Sequence, residues 1–301
     1  MNFVLCDEDL HWKNFLPLTF TRPVSEIRIG ILTLKQKWDK HLGQECSYHT
    51  QAYLSEKFPL HTFSECVFIQ SSVLPDANLC QSILALKHGE GLFANSRLIA
   101  WCGQLDDQKK ATTLKKISYT EKVVELNQVW DIFQKNAEAI TNDCDLICQG
   151  RTSQKLSDTV TVIGDRNLVF LEEGAKAEAC FLNTTSGPIY LGIGSEIMEG
   201  CAVRGPFALG EHSTLKLGTK VYGATTIGPH CKVGGEISNS VVFGYSNKAH
   251  DGFLGNSVLG EWCNLGADTN TSNLKNNYGH VKLFNYAHNK QIDTGLQFCG
   301  L

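Results

Sequence analysis

The 301-residue chain has no apolar run near the roughly 18 residues that a membrane-spanning helix needs, which excludes that class of membrane protein. It has no excess of positive charge: 27 Lys and Arg stand against 31 Asp and Glu, and a net charge of −4 offers no basic field to nucleic acid. Its N-terminus, MNFVLCDEDLHW, has acids where a signal peptide needs a positive region and an apolar core, so a cytoplasmic location is expected. Cysteine is plentiful at 12, yet no Cys-x-x-Cys occurs and the nearest pair is Cys144 and Cys148. Buried thiols are expected in place of zinc ligands or disulfides.

One run organises what is present. Leu191, Ile197, Val203, Leu209, Leu215, Val221, Ile227 and Val233 are aliphatic and six apart without a miss, with glycines interleaved. A helix repeats its apolar residues at three and four, and a half-buried strand at two. A period of six is the hexapeptide signature of a parallel β-helix. The position four after each aliphatic residue is mostly small (Ser195, Cys201, Ser213, Thr219, Thr225, Cys231), with Phe207 and Ile237 as exceptions. That pairing fits a triangular prism, aliphatic side chains inside and small residues at the corners, with coils about 4.8 Å apart as in any sheet. After Val233 the count slips by two, and a new frame runs through Val241, Phe253, Leu259 and Leu265. Position 247 of that frame is Asn, where the wall is expected to break.

The first half has a different grammar, and a length of 301 suggests two domains. Residues 2–6, 66–70, 97–101 and 144–148 read as strands. Val24, Ile27, Ile31, Leu34 and Trp38 read as a helix capped by Thr21, and 121–138 as a second helix carrying Val123, Leu126, Trp130, Phe133 and Ala137 on one face. Strands alternating with helices predict an α/β, Rossmann-like domain with a mainly parallel sheet over 1–155, and the β-helix over 156–301. Ligands of such a sheet sit beyond the carboxyl ends of its strands, which draws attention to residues 7–23.

There, LPLTFTRPV resembles the tail of the sugar-nucleotidyltransferase signature, in which a Gly-rich loop precedes Arg, Pro-Leu-Thr and Arg-Pro-Lys. The resemblance implies nucleotide binding near Leu5, Lys13, Arg22, Arg28 and Asp76, with Asp143 and Asp145 offering hard oxygen ligands to Mg²⁺. The chain departs from the signature in three ways. CDEDLHWKNF contains no glycine, Val24 takes the place of the lysine, and the domain is shorter than the family's. These departures imply a divergent domain in which nucleotide-sugar binding is more credible than turnover.

The second stretch of note is KAHDGFLGNSVLGEWCNLGADTNTSNLKNN. It resembles the acetyltransferase half of the bifunctional N-acetylglucosamine-1-phosphate uridylyltransferase/glucosamine-1-phosphate acetyltransferase (GlmU) family, built in the same order as a nucleotidyltransferase domain followed by a left-handed β-helix. The resemblance makes His250 the general base that deprotonates an amino-sugar ammonium for attack on acetyl-CoA. Glu236 or Asp268 would orient the ring. Asp268 follows His250 by three full hexads, one regular coil, and is expected to stack on it. Lys220, Lys248, Phe253, Asn264, Asn273 and Lys282 fall on the sugar side and Ala267 on the acetyl-CoA side. The Asn-rich loop 270–292 is expected to project from a corner toward the next subunit of a homotrimer. Residues 294–301 read as the opening of a further coil, which predicts a chain cut short in its β-helix. The expected ligands are small sugar phosphates or nucleotide sugars. The sequence leaves open two other functions: nucleotidyl transfer alone with the β-helix serving assembly, and a non-catalytic nucleotide-sugar scaffold.

Overall fold

β1 (Asn2–Cys6) and its parallel neighbours, β2 (Ser47–His49) and β3 (Cys66–Gln70), form one side of the N-terminal sheet, with β2 at its edge. β4 (Glu90–Ala94), β5 (Arg97–Gly103) and β6 (Lys115–Tyr119) complete the order β2-β1-β3-β5-β4-β6, with three of the five pairings parallel. The computed structural model describes residues 2–61, 66–110, 112–271 and 273–301. Met1 and Ser272, which belong to segments read above, lie outside the described residues. β1 and β3 are nearly continuous apolar runs because both faces are covered. Phe3, Leu5, Val67 and Ile69 pack with Trp38, Leu79 and Ile83, which lie on helices α2 (Leu34–Leu42) and α3 (Ala77–Leu84). Val4, Cys6, Phe68 and Trp101 fill the other face.

Three element assignments change. The helix expected from Thr21 starts at Thr33, whose Oγ1 accepts from Gln36 N at 3.2 Å while Gln36 Oε1 accepts from Thr33 N at 2.9 Å. This reciprocal cap fixes the start, and Gly43 at φ 70° ends the helix. Ile27, Ile29 and Ile31, all buried, instead alternate along a non-helical segment. Residues 123–127 are extended, not helical: Leu74 N donates to Val124 O and Leu126 N to Ser72 O, so tertiary pairing overrides the helical spacing. Residues 144–148 are helical. The short apolar run read as a strand is the last part of a helix, Asn136–Cys148, that follows the short helix Asp131–Gln134.

Contacts divide the chain into one unit of Met1–Ile27, Leu32–Val129 and Tyr286–His288, and another of Arg28–Ile31, Trp130–Asn285 and Asn289–Leu301. The helix Asn136–Cys148, on the N-terminal side of residue 155, therefore packs with the β-helix. Asn136 Nδ2 donates to Ala224 O at 2.6 Å, and Thr226 Oγ1 donates to Gly30 O at 2.9 Å.

The second unit is a parallel β-helix, consistent with the left-handed form. Its first wall stacks Thr161–Ile163, Phe181–Asn183, Ala202–Arg204, Lys220–Tyr222, Glu236–Ser238 and Phe253–Gly255. The second stacks Val169–Leu171, Ile189–Leu191, Phe207–Leu209, Thr225–Ile227, Val241–Gly244 and Val258–Glu261. The third stacks Lys176–Ala177, Glu196–Ile197, Thr214–Leu215, Lys232–Val233 and Asn247–Lys248. All eight aliphatic residues of the hexad run face the interior. At one corner His212, His230, Tyr245 and Trp262, all at positive φ, stack ring on ring at 5.2, 5.1 and 4.8 Å.

The frame changes differently from the expected slip of two. Lys220 pairs with Glu236, Thr226 with Val241 and Lys232 with Asn247, and each of these spacings is shorter than the three full hexads of a regular coil. The inward residues are then Ile237, Val242, Lys248 and Leu254. The wall is not broken at Asn247, which pairs on both sides. Ile237, an exception at the corner position, is an inward wall residue of a shortened coil. All twelve cysteines are free thiols, ten of them buried. Residues 294–301 do not start another coil. Gly300 N donates to Asn256 O at 3.0 Å and Cys299 N to Asn273 O at 3.0 Å, so this segment lies back along the last coil. Lys282–Asn285 and Lys290–Asp293 form an antiparallel hairpin. Among the described residues no helix is long and apolar enough to cross a membrane.

Candidate functional site

The carboxyl end of β1 is packed with polar side chains that satisfy one another. Asp7 is buried and accepts from Ser71 Oγ at 2.6 Å, Thr50 Oγ1 at 2.6 Å and Val24 N at 3.1 Å. These bonds join the ends of β1 and β3 to the segments after β2 and Pro23. Burial pushes the Asp7 carboxyl up to about 6, and the three donors only partly offset it. Where a Gly-rich loop would leave room for phosphates, the chain forms a short helix, α1 (Asp9–Asn14). His11 on that helix is buried, with Nδ1 3.1 Å from Glu8 Oε2 and Nε2 3.1 Å from Asn127 Oδ1. Arg97 pairs with Glu125 and lies 3.2 Å from Glu8. His11 and Arg97 hold the Glu8 carboxyl below its usual range.

The nucleotide-side candidates are not gathered in one place. Leu5 is buried in the sheet core, and Arg22 is also buried. Lys13 makes a surface pair with Asp9 at 3.2 Å. Arg28 donates through Nε to Phe243 O at 2.9 Å and through Nη1 to Ile31 O. Asp76 caps α3, accepting from Leu79 N at 2.9 Å. The expected Mg²⁺ ligands do not fit a metal. Asp143 is buried with Oδ2 accepting from Ile31 N at 2.7 Å, Asp145 is exposed, and no group of three or more ligating side chains converges among the described residues. Neither flanks a strand; both are on the helix Asn136–Cys148.

The β-helix gathers more. Lys220, Glu236 and Phe253 occupy one register across three adjacent strands of the first wall. Val221, Ile237 and Leu254 beside them point inward, so the three named side chains point out. His250 is exposed at the corner between the third and first walls. Glu236 N donates to Gly252 O at 3.1 Å, which places Glu236 on the coil directly before that corner. Gly235, at φ +80°, lies beneath it; a Cβ there would stand 2.6 Å from Gly252 O and 3.0 Å from Asp251 Cα.

Lys248 corrects the expectation of a sugar contact. It occupies the inward position of the third wall, paired with Val233, and is 1% exposed. Its ammonium donates to His250 O at 2.7 Å and Gly234 O at 3.1 Å, tying the His250 corner to the coil before it. Burial lowers its pKa, opposed by Asp251 and Asp268. Asp268 does not stack on His250. The coil here falls short of three full hexads, as the pairing of Glu236 with Phe253 shows, so Asp268 N donates to Asp251 O at 3.1 Å instead. Asn264 extends the third wall by bridging to Asn247, and both Asn264 and Ala267 are exposed. Asn273 O accepts from Cys299 N, and Lys282 is exposed on the terminal hairpin.

The residues missed from sequence are Asp7, His11, Arg97 and Glu125. Only Asp7 carried a signal, its place directly after the first strand. No curated protein matches the chain at a significant level. Residues 3–152 match the family described as sugar nucleotidyl transferase, and the β-helix follows that matched stretch.

Proposed function

We propose that the chain is a GlmU-like enzyme of nucleotide-sugar metabolism whose β-helix transfers acetyl from acetyl-CoA to the amine of an amino-sugar phosphate or nucleotide amino sugar. His250 takes a proton from the ammonium; the freed amine attacks the thioester carbon, and CoA leaves as the thiol. Glu236, on the adjoining wall, orients the imidazole, and Lys220 holds the acceptor. Phe253 packs against the sugar. The observation that carries this reading is an exposed imidazole on a corner held from inside the prism by Lys248. A homotrimer belongs to the proposal. It is supported by Ile163, Phe181 and Tyr222 exposed on the first wall, while the helix Asn136–Cys148 lies on the second. The test is CoA release from acetyl-CoA by the whole protein over a panel of amino-sugar phosphates and nucleotide amino sugars. Release dependent on one acceptor is expected; no release with any of them contradicts the reading.

A second reading concerns the N-terminal domain. The closed polar network at β1 favours binding of a nucleotide sugar without nucleotidyl transfer. With UTP, Mg²⁺ and sugar 1-phosphates, no pyrophosphate is expected, while a nucleotide sugar raises the melting temperature. Pyrophosphate release overturns it.

A further inference from the structure

The first wall of the β-helix carries a hollow that the acetyl-transfer chemistry leaves unused. Phe181, Ala202, Lys220, Glu236 and Phe253 follow one another in a single register column, and Asn183, Arg204 and Tyr222 stand in the column beside it. Leu182, Val203, Val221 and Ile237, between the two columns, point into the prism, so both columns face out. Ala202 is the smallest side chain of its column. Around it opens a cavity of about 380 Å³, walled by Phe181, Ile163 and Tyr222 and lined also by Arg204 and Lys220. Both cations are exposed, and neither has an ion pair or a side-chain hydrogen bond among the described residues. Asn183 Oδ1 accepts from Thr185 N at 3.0 Å and from Thr185 Oγ1 at 2.6 Å, which leaves its Nδ2 to donate elsewhere. Apolar walls, two cations and a spare amide donor complement a flat heterocycle joined to phosphates.

Its position decides what such a ligand would be. Lys220 pairs with Glu236, on the wall adjoining the His250 corner, so the hollow begins one strand from the acceptor and runs away from it toward Phe181. A sugar 1-phosphate seated at Glu236 ends at Lys220, about 4.8 Å away, and leaves the rest of the hollow uncovered. Phe181 lies three strands from Glu236, about 14 Å, a span that a second phosphate and a nucleoside would cover. Resting on the acetyl-transfer reading of the His250 corner, we propose that the acceptor is an amino sugar carried on a nucleoside diphosphate, with the nucleotide held on the first wall. The two phosphates lie over Ala202, bound by Lys220 and Arg204. The base packs on Phe181 and accepts a hydrogen bond from Asn183 Nδ2. The homotrimer proposed above would close the open side of this hollow with the nucleotide inside it.

Two measurements on the full chain separate this proposal from the reading it rests on. The first needs no turnover: lysines are labelled with an amine-reactive ester, with and without UDP, and mapped by peptide mass. UDP should slow labelling of Lys220 about ten-fold and leave Lys176 and Lys232, on the third wall, unchanged. Ala202→Leu, which fills the hollow from an exposed position, should abolish that protection, and Arg204→Ala should weaken it. The second measurement compares CoA release with UDP-glucosamine and with glucosamine 1-phosphate. The nucleotide sugar should be favoured at least about ten-fold in kcat/KM, and Ala202→Leu should raise its KM about ten-fold while leaving the sugar phosphate's unchanged. Protection of Lys220 without any CoA release supports the nucleotide site and sinks the acetyl-transfer reading alone. No protection by UDP overturns the proposal, as does equal kcat/KM for the two acceptors. A Lys220 already unlabelled without UDP also overturns it, since the wall is then filled by the next subunit.

Discussion

The end of β1 and the His250 corner are both polar, but they are polar in opposite ways. At β1, Asp7 is held by Ser71 and Thr50, while Glu8, His11, Arg97 and Glu125 bind one another, and all are mostly withdrawn from solvent. At the corner the polar atoms bound inside the prism are main-chain carbonyls, held by Lys248, and the imidazole is left to solvent. A group already satisfied by its neighbours gains little from a ligand, whereas an exposed one on a fixed backbone can act on one. The proposed function therefore puts the chemistry at the corner, and binding alone at the sheet.

Removing the buried ammonium should have the largest effect on stability. Lys248→Ala leaves two buried carbonyls without their donor and opens a cavity, costing about 2–4 kcal/mol in denaturant unfolding. Lys248→Met fills the space without the hydrogen bonds and should recover part of that stability. Equal stability of wild type and Lys248→Ala would mean that the corner is not held from within. Next, Arg97→Ala strips the carboxylates of Glu8 and Glu125 of their cation and should cost about 1–2 kcal/mol, discounted because Arg97 is partly exposed. No loss would show the β1 network to be looser than its geometry.

Acid should sharpen the same contrast. The folded pKa of Asp7, about 6, is above its unfolded value, so the folded state binds the extra proton in this window. Its contribution to stability is fully present below the unfolded value and is lost as pH rises through about 6. Wild type should gain about 1–2 kcal/mol between pH 7.5 and 5 relative to Asp7→Asn, read from melting curves of both. Parallel curves would rule out Asp7 as a buried proton acceptor.

The sequence showed the prism plainly because each coil repeats its neighbour, and a period of six is unlike helix or strand. It stopped being legible at Val233, where Gly234 and Gly235 let one coil come up short against its neighbour on all three walls. A slip counted as two put Asn247 inside and left Lys248 as a surface residue. A coil counted as three full hexads set Asp268 over His250 when Asp251 lies there. In the α/β domain, β1 and β3 were legible as apolar runs. The β1 network was not, because His11 and Asn127 are far apart in the chain and no local pattern joins them. The helix spacing at 121–138 misled for a related reason: Val124 and Leu126 pair with residues beyond β3, and that pairing outweighs local preference.

The most direct test of the placement at the corner compares wild type with His250→Ala in acetyl-CoA turnover with the accepted amino sugar. The side chain is exposed, so the variant should melt with wild type. Its rate of CoA release should fall at least about 100-fold. A folded His250→Ala protein that releases CoA at the wild-type rate would contradict the account.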